Sequence, residues 1–354
     1  MTVRLRPFSS WLVLGLLASL LVATGSVSRA ALGRVIVEDT FESLADAPGA
    51  APANWRILTI PPFNDNHGTR WTVANNSAGS AFVDGGQTKS LSWDDVASRT
   101  GDAFNPDGST RDDFPLGVVY RTPATAADQP GRVGTYTISA ATRITDVGHA
   151  RLTQNGEPLR LTEDGETFLI TYGSVVGALL WPPPATESQP CPEGFGQPTD
   201  ECRPAAAIAG GVILVDPGNG FDDDPSDDRV EVGALYVSGF VNQTDVTRSG
   251  FADTIVPVRV RTSLTRADLF GRTHRVELFV DSNKHLGLRM NGVFYGWGEV
   301  ANPDGSPLLV PLSKLTSYGM AGVVRNHTRF DNFKAQAGLP SELPPANPTP
   351  TPSA

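Results

Sequence analysis

Short stretches of alternating apolar and polar residues run along most of this chain, and groups of Gly, Pro, Asn and Asp separate them. The clearest alternation covers residues 274–281 and 285–290, where the apolar positions would share one face of a strand. Asn291 and Gly292 follow at once and are the favoured pair of a two-residue hairpin turn. The pattern therefore predicts a three-stranded antiparallel meander that continues through residues 293–297.

Further strands are predicted where β-branched and aromatic residues cluster between turn residues. No segment shows a sustained apolar stripe at the helical period, and residues 263–270 are expected to form at most one short helical turn. With 36 Gly and 29 Pro residues, the chain has an all-β composition. The other predicted strands are residues 35–41, 71–73, 118–121, 134–144, 167–172, 212–215, 230–240, 256–264 and 320–325.

Two strand-like segments, 35–42 and 318–335, stand at the two ends of this pattern, so residues 31–336 are expected to close on themselves as one β domain. In the last segment Phe330 and Phe333 are expected in the core, whereas Asp331 and Asn332 are expected to fix turns or strand ends. Proline recurs from residue 340 onward and cannot donate to a strand ladder. Residues 337–354 are therefore predicted to be a disordered, extended tail.

The strand pattern breaks between residues 181 and 229, which are predicted to be a loop-rich insertion with a single strand at 207–215. Cys191 and Cys202 lie within it, eleven positions apart. In an exported chain such a pair predicts a disulfide, which would stabilise the fold by about 3 kcal/mol. A zinc site is not expected, because no histidine lies near this one cysteine pair.

The first thirty residues have the pattern of a signal peptide. Arg4 and Arg6 precede an apolar run, and Ser28-Arg29-Ala30 offers small residues at both positions read by a signal peptidase. The alternative is a membrane anchor, but the run is shorter than the roughly 20 residues that a spanning helix needs. We therefore expect cleavage before Ala31 and a secreted or cell-surface protein with no membrane insertion.

Acidic residues outnumber basic ones, which bears on the choice of partner. The whole chain has a formal charge of −10, and without residues 1–30 the remaining 25 basic and 38 acidic residues give −13. A negative surface repels phosphate backbones. Nucleic acid is therefore not an expected partner, whereas neutral sugars, divalent cations and cationic surfaces remain open.

Four segments together resemble a known superfamily. They are Glu38-Asp-Thr-Phe41, Trp55, the Met-Asn-Gly-Val turn of the meander at residues 290–293, and Phe330-Asp-Asn-Phe333. In these segments the chain is similar to the concanavalin A-like lectin/glucanase superfamily, the laminin-G-like jelly-roll sandwiches. The resemblance implies an antiparallel jelly-roll β-sandwich of two sheets with the first and last strands side by side. It implies no single activity, because the superfamily includes lectins, glycosidases, polysaccharide lyases and adhesion modules.

Candidate catalytic residues are few. Glycosidases of this superfamily often carry a Glu-x-Asp-x-Glu string, which does not occur here. Glu163 and Glu166 lie three positions apart, which would put them on opposite faces of one strand, and the intervening Asp-Gly predicts a turn. Glu231 and Glu277 are expected to point outwards as solvated side chains. The sequence therefore favours a protein without catalytic activity, although a missing motif does not exclude an enzyme.

Calcium is the one metal that the sequence gives a reason to consider. Residues 216–228 concentrate hard oxygen ligands, and Gly and Pro would let the backbone fold around an ion. The spacing does not fit an EF-hand, and a solvated acidic loop is the alternative. The predicted ligands are Asp216, Asn219, Asp222, Asp223 and Asp224.

Carbohydrate binding needs an aromatic ring for the apolar face of a sugar and polar groups beside it. Trp93 with Asp95, and Tyr295 with Trp297, are the candidates, because Trp93 lies among Ser and Asp and Trp297 lies between glycines. Trp55 and Trp71 fit core positions better. Three functions follow as hypotheses: a sandwich that binds glycan or another extracellular component, a polysaccharide-cleaving enzyme of the same fold, and a structural or adhesive surface protein.

Overall fold

The computed structural model describes residues 33–42, 54–57, 69–75, 89–95, 116–145, 153–154, 157–158, 161–163, 166–180, 201–217, 228–242, 250–323 and 327–346. Within these ranges two antiparallel sheets, which we name sheet A and sheet B, pack face to face. The predicted all-β sandwich of two antiparallel sheets is confirmed.

Sheet A has eight strands in the described part of the chain. The order across the sheet is β16-β15-β14-β6-β18-β4-β3, and β1 also pairs with β18, where the strands are β1 (Val35–Asp39), β3 (Thr69–Asn75), β4 (Lys89–Asp95), β6 (Tyr136–Thr145), β14 (His274–Val280), β15 (His285–Met290), β16 (Val293–Glu299) and β18 (His327–Ala337).

Sheet B also has eight strands among the described residues. Its order is β13-β12-β11-β10-β17-β5-β2, and β9 pairs with β10, where the strands are β2 (Arg56–Ile57), β5 (Leu116–Arg121), β9 (Leu161–Glu163), β10 (Glu166–Leu180), β11 (Glu201–Pro217), β12 (Arg229–Asn242), β13 (Gly250–Arg261) and β17 (Ser317–Val323).

The remaining elements of the described residues are short. Strands β7 (Thr153–Gln154) and β8 (Glu157–Pro158) form a two-stranded sheet. Helix α1 spans Pro130–Val133, helix α2 spans Arg266–Gly271, and two 3-10 turns cover Ala126–Asp128 and Leu312–Lys314. Helix α2 lies where the sequence predicts one helical turn. No helix in the described ranges is long and apolar enough to cross a membrane.

The core lies between the two sheets and follows the period-2 pattern of the strands. In β12 the inward residues Val230, Val232, Ala234 and Tyr236 are all buried, and Tyr236 closes the layer by donating a 2.6 Å hydrogen bond from its hydroxyl to the carbonyl oxygen of Val310. Burying each such large apolar side chain contributes about 1.5–3 kcal/mol. The core thus fixes which residues of each strand point outwards and are available for function.

The meander β14-β15-β16 matches the sequence prediction. Asn291 and Gly292 have positive φ angles of 51° and 81°, as a type I′ turn requires, and Met290 pairs with Val293 across it. The turn fixes the register, so Leu278 of β14 and Leu288 of β15 lie opposite each other on the core face. The sequence predicted this hairpin correctly because the turn residues and the two residues that they join follow one another directly in the chain.

The first and last strands pair, as the resemblance implies. One edge of β18 is taken by β6, and the other edge pairs with β4 at residues 327–330 and with β1 at residues 333–336. A bulge at Asp331 and Asn332 separates the two halves, and Asn332 has a positive φ of 51°. Phe330 and Phe333 are fully buried on either side of it. The two polar residues therefore lie within a strand instead of at its end.

Several elements differ from the predictions. Strands β2, β4, β7, β8 and β9 were not predicted. Strand β11 runs for 17 residues between β10 and β12, so residues 201–217 are a central part of sheet B and not part of a loop-rich insertion. Residues 338–346, predicted to start the disordered tail, instead pack on sheet A, where Leu339 and Leu343 are buried. Residues 1–32, 181–200, 218–227 and 347–354 lie outside the described residues.

Candidate functional site

A cavity of about 470 Å³ opens at one end of sheet B, at its outer edge. We name it the end cavity. The start of β12, the end of β13 and the first turn of α2 form its walls. Three arginines line it, Arg229, Arg261 and Arg266. Hydroxyl side chains complete the polar lining, from Thr262, Ser263 and Thr265.

The connection between β13 and α2 holds these hydroxyl residues in place. Thr262 donates hydrogen bonds of 2.9 Å from both its backbone N–H and its hydroxyl to the carbonyl oxygen of Val230, and that hydroxyl accepts from Leu264 N–H. Thr265 and Asp268 then form a capping box, in which the Thr265 hydroxyl accepts from Asp268 N–H at 3.2 Å. The connection is therefore an ordered wall, fixed to β12 at one end and to α2 at the other.

Two buried carboxylates position the arginines at the end cavity. Arg266 donates a 2.5 Å hydrogen bond to Asp228 Oδ2, and the guanidinium of Arg266 also lies over the ring of Phe270 at 5.1 Å. Glu231 receives Arg229 at 2.6 Å on one oxygen and Arg259 at 2.6 Å on the other. Because both acids are buried, their charge is held by these arginines instead of by water.

Arg261 differs from the other arginines because it is exposed at the mouth of the end cavity. Arg261 makes no ion pair with any residue that the structure describes, whereas Arg229, Arg259 and Arg266 are all paired. Four guanidiniums and two carboxylates therefore meet here, a net charge of +2 over these six groups, on a chain whose formal charge is −10.

Glu231 and Glu277 are not solvated, contrary to the sequence prediction. Both point away from the core, one on each sheet, yet both are buried, at 3% and 7% exposure. Arg289 holds Glu277 with two hydrogen bonds of 2.5 and 3.0 Å, whereas Glu231 accepts one hydrogen bond from Arg259 and forms an ion pair with Arg229. Both oxygens of each carboxylate therefore already contact arginine nitrogens, so neither residue presents an unoccupied carboxylate to a substrate.

The glutamates 163 and 166 are arranged differently from the prediction. They belong to different strands, β9 and β10, and stand directly opposite each other in the antiparallel register. Residues in that position lie on the same face, with Cβ atoms about 4.5–5.5 Å apart. The predicted turn between them fits the hairpin, whereas the prediction that they lie on opposite faces of one strand was wrong.

Tyr295 and Trp297, predicted to form one carbohydrate site, lie against different parts of the protein. Gly296 between them has a φ of 125°, and a bulge at this point shifts the alternation of β16. Tyr295 packs on the main core, whereas Trp297 lies on the outer face of sheet A with Phe294 and Phe279, at ring-centroid distances of 5.6 and 6.2 Å. The two rings therefore do not form a common platform.

Trp93 and Asp95 lie in β4, and the structure describes their backbone. Trp93 stands opposite Thr328 of β18, which is fully buried and pairs in turn with the buried Ile144. The register therefore aligns position 93 with two buried positions of sheet A. Five strand spacings, about 24 Å, separate β4 from β16, so the backbone positions of Trp93 and Trp297 lie far apart across sheet A.

The predicted calcium ligands and the predicted disulfide fall largely outside the described residues. Asp216 lies near the end of β11, and Asn219, Asp222, Asp223 and Asp224 are not described. Cys202 lies in β11, whereas Cys191 is not described. Within the ranges that the structure describes, no group of three or more His, Cys, Asp or Glu side chains could hold a metal ion. Both sites therefore remain predictions.

Asp331 is a buried acid that the sequence analysis assigned only a backbone role. Its Oδ1 accepts a 2.6 Å hydrogen bond from Asn332 N–H, while its Oδ2 is buried with no hydrogen-bond partner among the described residues. Burial, together with the negative charges of Glu42 and Asp39, raises the pKa of Asp331 to about 7. Because Asp331 is fully buried, it cannot reach a ligand, and it acts on stability instead.

Sequence reasoning missed the end cavity. Its arginines are spread over residues 229–266, and no motif connects them. The one available signal was the charge pattern, since four arginines between 259 and 272 stand out in an acidic chain. Only the pairing of β12 with β13, which sets Glu231 opposite Arg261, brings these residues together.

Comparisons with known proteins bear on the fold. No known protein family matches the sequence, and no curated protein matches it. Among solved structures, the chain is similar to the catalytic domain of an endo-1,3-beta-glucanase (laminarinase) from Thermotoga petrophila RKU-1, with a TM-score of 0.40 and 11% identity over 87% of this chain and 99% of that chain.

Two further solved structures match the chain at comparable scores. An inactivated mutant of beta-agarase B in complex with agaro-octaose gives a TM-score of 0.40 and 11% identity, over 85% of this chain and 92% of that chain. A Bacillus subtilis protein of unknown function with a galectin-like fold gives 0.37 and 8%, over 87% and 98%. At such TM-scores these similarities assign neither an activity nor a ligand to this chain.

Proposed function

We propose that this protein is a secreted or cell-surface β-sandwich that binds glycan without cleaving it, and that the end cavity is its binding site. The observation that carries the proposal is the lining of this cavity, in which three hydroxyl side chains and three guanidiniums surround about 470 Å³. Ligand pockets of small molecules have volumes of about 300–1,000 Å³. A sugar unit, which presents many hydroxyl groups, fits a lining of this kind.

The proposal of binding without catalysis rests on the state of the outward-facing glutamates. A retaining glycosidase needs two carboxyl groups about 5–5.5 Å apart, one of which must donate and accept protons. Glu231 and Glu277 lie on different sheets, and each is locked by arginines. The described acid at the end cavity, Asp228, is buried and paired with Arg266.

A second candidate function, cleavage of a polysaccharide, is favoured by the direct opposition of residues 163 and 166 across β9 and β10. Directly opposed residues of an antiparallel pair lie on one face, as the two carboxylates of a retaining pair must. Replacing both by glutamine separates this candidate from the first. If cleavage of any polysaccharide depends on these two residues, the protein is an enzyme and the first proposal fails.

The proposed function is tested with the mature chain on a panel of neutral, uronic and sulfated oligosaccharides. Each ligand that binds is then incubated with the protein and analysed for new reducing ends. We expect binding without cleavage, and we expect Ser263→Trp, which places a bulky ring at an exposed position of the lining, to abolish it. Val35→Trp, at a position 40% exposed in β1 and at the other end of sheet A from His274 and α2, is the matched control. Binding that survives S263W would overturn the assignment of the site.

A further inference from the structure

We propose that the end cavity selects sugars that carry an oxyanion, a carboxylate or a sulfate, and that Arg261 is the residue that binds it. This inference rests on the proposed function, since it specifies the ligand of the same site. It starts from the sign of the local charge. The chain is acidic overall, yet among the residues that the structure describes four arginines and two carboxylates meet at this end of sheet B.

The two buried acids fix three of the arginines in place. Glu231 pairs through one oxygen with Arg229 and through the other with Arg259, and Asp228 pairs with Arg266. The positive ends of these side chains are therefore held in fixed positions at the wall of the cavity.

Arg261 supplies the group that is accessible to a ligand. It stands directly opposite Glu231 across β12 and β13, but Glu231 is already held by Arg229 and Arg259. The Arg261 side chain is left exposed at the cavity. A planar guanidinium can bind a carboxylate or a sulfate through two parallel hydrogen bonds, which gives it a preference for these groups over neutral hydroxyls.

The neighbouring hydroxyls fit the rest of an anionic sugar. Ser263 is exposed and lies two positions after Arg261 in the chain. The hydroxyl of the intervening Thr262 already donates a hydrogen bond to the carbonyl oxygen of Val230. Thr265 follows on the same wall and is held by the capping box. A sugar ring whose oxyanion pairs with Arg261 would therefore place its hydroxyl groups beside the side chains of residues 263 and 265.

The experiment compares ligands that differ only in the oxyanion. Calorimetric titrations use a tetramer of galacturonic acid, its methyl ester, and a neutral oligosaccharide with and without sulfate groups. We expect the acid or the sulfated ligand to bind at least tenfold more tightly than its neutral counterpart, and binding to weaken as salt rises from about 0.05 to 0.5 M. The uronic and sulfated ligands distinguish a carboxylate site from a sulfate site.

Substitutions at position 261 test whether Arg261 causes the preference for anionic ligands. Arg261→Ala is expected to remove the advantage of the anionic ligand, and Arg261→Lys to restore part of it, because lysine keeps the charge and loses the bidentate geometry. Arg132→Ala, an exposed arginine of α1 on another part of the sandwich, should change nothing. An anionic preference that persists in R261A would overturn the inference.

The two proposals fail in different ways. If neutral and anionic sugars bind equally and S263W abolishes both, the glycan site stands and the oxyanion preference is refuted. If no sugar binds, the proposed function itself fails, and the inference fails with it.

Discussion

The indole Nε1 of Trp297 donates a 2.9 Å hydrogen bond to the carbonyl oxygen of Pro344. This bond joins the outer face of sheet A to residues 338–346, which we name the C-terminal strap. Leu339 and Leu343 of the strap pack on Phe279 beside Trp297, and the Thr137 hydroxyl donates to the carbonyl oxygen of Gly338 at 2.9 Å. The C-terminal strap therefore covers the aromatic side chains around Trp297, which the sequence suggested as a sugar-binding surface.

The strap is expected to contribute to stability through its buried leucines. Leu343→Ala removes a side chain that is 3% exposed, so we predict a loss of about 2–3 kcal/mol in the free energy of unfolding, measured in urea. Glu342→Ala is the control, because Glu342 is solvent-exposed and its ion pair with Arg289 at 3.1 Å should contribute little to stability. Equal stability of L343A and the parent would show that the strap does not pack as described.

The ring of Trp297 is predicted to leave no room for a side chain at Gly287. A Cβ atom at position 287 would lie 2.6 Å from Cε3 of that ring. We expect Gly287→Ala to cost about 1–3 kcal/mol of stability by overpacking. In a background of Trp297→Ala the same change should cost less, because the clashing atoms are gone. Equal costs in both backgrounds would refute this contact.

The buried carboxyl of Asp331 predicts a pH dependence of stability. Its pKa is about 7 in the folded protein and about 4 in the unfolded chain, so the folded state holds a proton that the unfolded state releases between these values. Stability should therefore fall as pH rises from about 4 to 7, by at most on the order of 4 kcal/mol.

Asp331→Asn isolates this contribution. It should flatten the pH profile, leave stability nearly unchanged below pH ~4 and raise it above pH ~7. Glu38→Gln, which alters an exposed acid on the neighbouring strand β1, should leave the slope in place. Unfolding profiles of D331N and the parent with the same slope would show that Asp331 does not titrate in this range.

Calcium remains a prediction of the sequence. If residues 222–224 bind the ion, millimolar calcium should raise the unfolding temperature, because a ligand that binds only the folded state stabilises it. Replacing Asp222, Asp223 and Asp224 by asparagine should remove that shift. An unfolding temperature that does not respond to calcium in the parent protein would leave the solvated acidic loop as the explanation.

The sequence was most informative where structure depends on neighbouring residues. The Asn291-Gly292 turn determined the meander, and the apolar alternation identified its core face. It failed at bulges, since the register skips Tyr295 and so places Trp297 on the other face of β16 from Tyr295, which nothing in the composition indicates. The position of Asp331 within a strand was hidden for the same reason.

The end cavity was out of reach of sequence patterns for another physical reason. The pair between Arg259 and Glu231 joins residues 28 positions apart on adjacent strands, so it depends on a register that the sequence does not specify locally. A lone glutamate in a strand is predicted to be solvated, because an outward-facing acid is usually exposed to water. Its arginine partners become visible only when β12 and β13 are paired.

Amide hydrogen exchange with and without the galacturonic acid tetramer, followed by product analysis of the same samples, decides whether the end cavity binds glycan without cleaving it. We predict that the tetramer slows exchange in residues 262–267 and stays intact, and that S263W loses this protection. Protection at β16 and the C-terminal strap would contradict this proposal, and so would cleavage of the ligand. The proposal would also fail if a panel member binds and yet protects no residue from exchange.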